Sequence, residues 1–197
     1  EQLELLKIIK ETAFDSLELI NEILEATDTN PVKLQKSPVE INLLLSNSVE
    51  LMRFKAAEKN QKIILNALDS PEYLLISREK IWRVISNLIS NAIKFSPVGT
   101  DIHVSIIDMK NDIQVSVHDW GIGIPHSIKN KVFNMFTDAK RPGTLGEKSF
   151  GLGLSICRQI IEKHHGKIWF DSTPQDGTTF YIRLSKTNIP VPDIVPV

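Results

Sequence analysis

Apolar residues near the start of the chain recur every three or four positions. Leu3, Leu6, Ile9, Ala13, Leu17, Ile20 and Leu24 form one stripe, while Lys7, Lys10, Glu11, Glu18 and Glu25 lie largely off it. That period predicts an amphipathic helix about eight turns long. Its seam is too narrow to hold a fold by itself, so the helix is expected to be one arm of a hairpin or coiled coil packed on a partner helix. Asp28, Asn30 and Pro31 end it, because the residue before a proline is pushed out of the helical region. The chain opens inside this helix, as expected of a piece of a longer protein.

After a linker at 30–38 the pattern becomes that of an α/β unit spanning 39–186. Residues 39–42 read as a short strand, 43–59 as an amphipathic helix, and 62–66 and 73–76 as strands. Ser77 is a good N-cap for a helix over 78–95. Val104 and Ile106 alternate with His103 and Ser105, and Val115 and Val117 with Gln114 and Ser116. Two strands, 101–109 and 113–118, are therefore each expected to bury one face, joined by a turn at 110–112. Residues 137–150 are polar, contain Pro142, Gly143 and Gly146, and suit a mobile loop. A helix over 153–165 and a hairpin of 167–171 with 178–184 follow. The tail at 187–197 holds Pro190, Pro192 and Pro196 and reads as a linker or frayed end. Strands and helices do not alternate in βαβ fashion. The expected fold class is therefore α+β: a two-layer sandwich with a mixed, mainly antiparallel sheet and helices on one face.

Composition narrows the function. The chain has 197 residues, 42% hydrophobic and 24% charged, which excludes a disordered or low-complexity chain. Lys and Arg number 23 against 24 Asp and Glu, a formal charge of −1, so no basic surplus points to nucleic acid. A single cysteine, Cys157, excludes an internal disulfide framework and a cysteine-based zinc cluster. No run of ~18 apolar residues and no signal peptide is visible. A cytoplasmic module is expected, whose parent protein could still carry a membrane anchor.

Three polar clusters carry candidate chemistry. Asn87, Asn91 and Lys94 fall on one helix face, where an amide oxygen can meet a hard cation and a lysine a phosphate. Asp119-Trp120-Gly121-Ile122-Gly123 follows a buried strand, where a carboxylate can accept a hydrogen bond from an exocyclic amine. Gly151-Leu152-Gly153 opens a helix, where free N–H groups and the dipole favour phosphate. Taken singly, each also fits a bland feature: a solvated helix face, a glycine turn, a glycine-rich helix entry.

Taken in order, these clusters resemble the ATP-binding catalytic domain of sensor histidine kinases, in the superfamily that also holds gyrase-type topoisomerases, Hsp90 chaperones and mismatch-repair MutL proteins. The asparagine box is matched by Asn87, Asn91, Ala92, Lys94, Phe95 and Ser96, and the first glycine box by Asp119, Gly121 and Gly123. Phe133 and Phe136 match the phenylalanine box, Gly151 to Leu154 the second glycine box, and Gly177, Thr178 and Phe180 the closing segment. The resemblance covers about residues 1–186 and implies a Bergerat-type ATP-binding fold with ATP and Mg²⁺ as cofactors. It implies that Asp119 binds the adenine amino group, that Gly121 and Gly123 shape the purine pocket, and that Asn91 ligates Mg²⁺ with Asn87 beside it. Lys94 would meet a phosphate, Phe95 would lie near the nucleotide, and Gly151, Leu152 and Gly153 would cradle phosphates. Residues 137–150 would form the lid over ATP, with Lys140, Arg141 and Lys148 as candidate phosphate contacts.

Relatives that hydrolyse ATP resemble one another in placing a glutamate four residues before the metal asparagine. Here that position is Asn87, an amide that cannot act as a general base. Asn87 and Lys94 are accordingly expected to serve phosphoryl transfer to a protein side chain. The opening helix resembles the second helix of the dimerisation and phosphotransfer hairpin, whose first helix would carry the acceptor histidine. None of His103, His118, His126, His164 or His165 has the expected His-Glu-x-x-x-Pro setting. The implied partners are that acceptor helix, a response-regulator receiver domain and a second copy in a full-length homodimer. Ser149-Phe150 replaces the usual Gly-Thr before Gly151, which keeps open a nucleotide-binding module without phosphotransfer, beside an ATPase or chaperone relative. Cys157, Trp82 and Trp169 read as packing residues. Trp120, inside the adenine-box turn, is a candidate to flank the pocket.

Overall fold

The alternating stretches form long strands in the computed structural model of the protein, which describes residues 34–135, 141–147 and 151–186, with Leu5 and Ile20 as isolated helical positions. Apart from those two, the expected arm at 1–29 lies outside the described residues, as does the tail at 187–197. The described elements begin with β1 (Ser37–Glu40), α1 (Ile41–Ala57), β2 (Lys62–Asn66), β3 (Tyr73–Ile76) and α2 (Arg78–Phe95). Strands β4 (Asp101–Met109) and β5 (Asp112–Asp119) follow, then a short 3₁₀ helix at His126–Lys131. Helix α3 (Gly153–Lys163), β6 (Lys167–Thr173) and β7 (Gly177–Ser185) complete the order.

Five strands make one sheet in the order β2-β4-β5-β7-β6. Only β2 and β4 run parallel; the other neighbours are antiparallel. Strands β1 and β3 pair separately. Ile102, Val104 and Ile106 of β4, Ile113, Val115 and Val117 of β5, and Phe180, Ile182 and Leu184 of β7 are buried. They form one core with Ile81, Val84, Ile85, Leu88, Ile89, Ala92 and Ile93 of α2 and with Ile156, Cys157, Ile160 and Ile161 of α3. The intervening residues His103, Ser105, Gln114, Ser116, His118, Tyr181 and Arg183 are half-buried on the other face. The expected two-layer α+β architecture is what forms. Cys157 packs as a small hydrophobe, its thiol against the Val84 carbonyl. Among the described residues no helix is long and apolar enough to cross a membrane.

Element ends shift from expectation by a residue or two in several places, and two of these shifts lie at the start of the domain. Ser37 and Pro38, read as linker, belong to β1, where they face Ile76 and Leu75. Asn42, read as strand, lies in α1, because the Glu40 carboxylate accepts from the Asn42 and Leu43 amides (2.8 and 2.6 Å) and starts the helix early. Ser77 occupies the N-cap of α2 without a side-chain cap bond. Its backbone N–H instead donates to His164 Nε2 (3.0 Å), while His164 Nδ1 meets the Ile160 carbonyl (2.8 Å). A neutral imidazole with its proton on Nδ1 fits both bonds, tying the end of α3 to the start of α2.

Burial holds the His164 pKa below its ordinary value, against the Ile160 carbonyl, with Lys36 and His165 adding to the depression. A depressed histidine contributes stability above its unfolded value of about 6.5 and loses it as pH falls. Asp119 works in the opposite direction at mildly acid pH, so the informative quantity is the difference between wild type and His164→Gln. Urea denaturation should show the wild-type advantage shrinking from about pH 7.5 to about pH 5.5; an advantage that does not change with pH contradicts this bonding.

Candidate functional site

Helix α2 turns its apolar seam to the sheet and leaves Asn87, Asn91, Lys94 and Phe95 half-buried at the margin. Asn87, Asn91 and Phe95 are four residues apart, so they form three stations about 6 Å apart along one edge. Asn91 Nδ2 donates to Asn87 Oδ1 (3.1 Å). That bond uses the amide N–H, which a cation cannot use, and leaves Asn91 its carbonyl oxygen, which a cation can. Among the described residues no group of three or more His, Cys, Asp or Glu is placed to hold a metal. Lys94 places its ammonium 5.6 Å from the centre of the Phe95 ring.

The adenine-box turn lies against the C-terminal station. Strand β5 delivers Asp119 to the core edge, where it is 4% exposed and opposite Thr178 of β7. Its Oδ1 accepts from the Gly121 amide (2.9 Å). Ile122 N donates to the Phe95 carbonyl (3.1 Å), stapling the turn to α2. A side chain at 121 would collide with that carbonyl and with the Asp119 carboxylate, so only glycine permits this approach. Burial raises the Asp119 carboxyl to about 6, although the Gly121 and Thr178 amides pull it downward. A buried carboxylate raised in this way is a candidate acceptor for a ligand N–H.

The second glycine box lies against the N-terminal station. Gly151 has φ +76° and leads through Leu152 into α3. A Cβ at 153 would collide with the Asn87 amide, so the helix entry and the asparagine box meet directly. Leu152 is fully buried, and any contact it makes with a ligand is through its backbone. The structure therefore brings Asp119, Gly121, Phe95, Asn91, Asn87 and Gly153 together along one side of α2. Arg141 stands at the Phe95 end of this row, not at the entry to α3: its Nη2 donates to the Gly123 carbonyl (2.7 Å) and its guanidinium lies over the Phe95 ring. Lys140, Lys148, Phe136, Ser149 and Phe150 lie outside the described residues. Phe133 is half-buried and packs on Phe170 and Phe180 at the edge of the core.

Trp120 corrects one expectation. It sits edge-on to His103 and His118 (ring centres 4.9 and 4.1 Å) on the open face of the sheet and is 45% exposed. Alternation explains this: Asp119 points inward, so its neighbour points outward. Lys59, Gln61, Thr144 and Glu147 were not singled out by sequence, yet they hold the C-terminal end of α2 and residues 141–147 together. Their only local signal is a polar run after a helix, which many helix ends share.

The sequence and the fold are similar to those of known proteins. Residues 76–188 match the family model for histidine kinase-, DNA gyrase B-, and HSP90-like ATPases. The adaptive-response sensory kinase SasA of Crocosphaera subtropica is 37% identical over 169 residues, 84% of this chain and 44% of that protein. The sensor histidine kinase WalK of Bacillus subtilis is 33% identical over 172 residues, 85% of this chain and 28% of that protein. The chain thus spans less than half the length of these curated relatives. Among solved structures, the nucleotide-free catalytic domain of the histidine kinase ThkA superposes with a TM-score of 0.68 at 30% identity, covering 78% of this chain and 97% of that one. ThkA in complex with the response regulator TrrA gives 0.74 at 29% identity, over 91% of this chain and 50% of that one. On motif order, fold and similarity together, the chain belongs to the histidine kinase-, DNA gyrase B- and HSP90-like ATPase family and carries the ATP-binding catalytic domain of a histidine kinase.

Proposed function

We propose that the domain holds Mg·ATP along the exposed edge of α2 and passes the γ-phosphate to a histidine on a partner helix rather than to water. The observation that carries this reading is the row itself, from the Asp119 carboxylate through Phe95, Asn91 and Asn87 to the entry of α3. Its ~12 Å from Phe95 to Asn87 suits an extended ligand with a flat donor at one end and negative charge at the other. Asp119 would accept the adenine amino N–H, with Gly121 and Gly123 forming the pocket wall. Asn91 would hold Mg²⁺ through its amide oxygen, Lys94 would meet a phosphate, and Gly151 and Gly153 would offer backbone N–H groups to the phosphate oxygens. Lys140 and Lys148 would extend that charge from outside the described residues. When bound, the magnesium ion neutralises phosphate charge.

The reaction would then be an in-line transfer: an imidazole nitrogen forms a bond to the γ-phosphorus as the bridging bond breaks and ADP leaves. Positioning and charge neutralisation would supply the catalysis. Asn87 supports a protein acceptor, because its amide orients Asn91 but cannot take a proton from water. The arm at 1–29 would be one helix of a dimerisation hairpin and the acceptor would lie on the other; the likeness to ThkA, solved in complex with the response regulator TrrA, supports a receiver domain as the next holder of the phosphate.

Three outcomes test this reading. Asp119→Asn should weaken Mg·ATP binding at least about tenfold by calorimetry, the worth of a charge-assisted hydrogen bond of ~1.5–3 kcal/mol. Equal affinity would contradict the assignment. Adenosine, which carries no phosphate, should bind more tightly as pH rises from about 5 to about 7, since a carboxyl that starts near 6 and gains a donor releases a proton on binding. A flat profile would remove Asp119 from the pocket. The purified chain with Mg·ATP should release inorganic phosphate no faster than buffer alone, and rapid release would overturn transfer to a side chain in favour of hydrolysis.

A further inference from the structure

Beyond α1 the chain turns back toward β2 through Lys59, Asn60 and Gln61. Lys59 is 6% exposed, yet its ammonium is surrounded by oxygen. It lies 2.9 Å from the Ile93 carbonyl, 3.2 Å from the Lys94 carbonyl, 2.7 Å from Thr144 Oγ1 and 3.0 Å from Glu147 Oε1. Three N–H bonds thus serve four acceptors. Two acceptors belong to the last turn of α2, where carbonyls lack helical partners and the dipole favours a cation. The other two belong to residues 141–147, far away in sequence.

That segment is held by more than the ammonium. Thr144 N donates to the Lys94 carbonyl (3.0 Å) and Thr144 Oγ1 to the Ser96 carbonyl (2.8 Å). Glu147 accepts from Leu145 N (2.8 Å), and its carbonyl accepts from Gly143 N (2.9 Å). Burial pulls the Glu147 carboxyl upward, but its own amide, Lys59 and the Leu145 amide outweigh that and leave it below its ordinary value. At the other end of the same segment, Arg141 reaches Gly123 and Phe95.

We propose that Lys59 is a positioning residue for nucleotide binding: through Thr144 and Glu147 it latches residues 141–147 to the end of α2 and so presents Arg141 at the purine end of the row. The inference rests on the proposed nucleotide reading. The latch is pre-paid order, since a segment already docked loses less freedom when a ligand arrives. It is also hard to open by half, because a buried ammonium stripped of its carboxylate is left uncompensated.

Lys59→Met would also strand the α2 carbonyls, so the deciding variants are Glu147→Gln and Thr144→Val, which leave those bonds intact. In the full 197-residue chain, either variant should speed hydrogen exchange at 143–145 while the β4 and β5 amides keep wild-type rates. Each should weaken Mg·ATP binding, Glu147→Gln by about tenfold. Arg141→Ala should weaken binding as well, and Arg141→Ala with Glu147→Gln should bind no worse than Arg141→Ala alone, because the latch acts through Arg141. Unchanged exchange, or losses that simply add, would overturn the proposal. Failure of the wild type to bind Mg·ATP would instead remove the nucleotide reading, while the exchange experiment still tests the latch.

Discussion

The seat of α2 on the sheet is the constraint from which the site follows. Ile81, Val84, Ile85, Leu88, Ile89, Ala92 and Ile93 are buried against the inward residues of β4, β5 and β7. Once that seam is fixed, a 3.6-residue period leaves Asn87, Asn91 and Lys94 no choice but the margin. The adenine-box turn and the entry to α3 then close on the two ends of the same edge. Two absent side chains, at 121 and 153, allow backbone to come within contact of the helix. The polar row is therefore a consequence of apolar packing, and damage to the seam would misplace the row without touching any of its members.

Much of this was legible in one sequence. The strands at 62–66, 73–76 and 101–109 and the helix at 78–95 have the expected bounds, because alternation and helical period are strong where one face is buried. The start of α1 was not legible, because Glu40 acts as an N-cap although its type favours helix interiors and a strand pattern runs into it. At the site, Asn87, Asn91, Asp119 and the glycines announce themselves by local spacing. Lys59 and Glu147 do not: they are 88 residues apart, and nothing near either one specifies the other. Trp120 shows the converse failure, since proximity in sequence to Asp119 made it a candidate to flank the pocket, while alternation carries it to the opposite face.

Two buried titratable groups are shifted in opposite directions by the same cause, burial. His164 is buried with both ring nitrogens engaged, and its neutrality serves the packing of α3 on α2. Asp119 is buried as well, and burial outweighs the bonds from the Gly121 and Thr178 amides and raises its carboxyl to about 6. The proposed ligand site takes the carboxylate, which sits at the glycine turn beside Phe95, and not the histidine, which is held between α3 and the start of α2.

A crystal structure of the chain with Mg²⁺ and a non-hydrolysable ATP analogue tests the central claim most directly. The account predicts the adenine amino nitrogen within hydrogen-bond distance of Asp119, the metal on the Asn91 amide oxygen, and the terminal phosphates running toward Gly151 and Gly153. An analogue bound across the open face of the sheet, beside Trp120, or with its phosphates at the Phe95 end of α2, would contradict it.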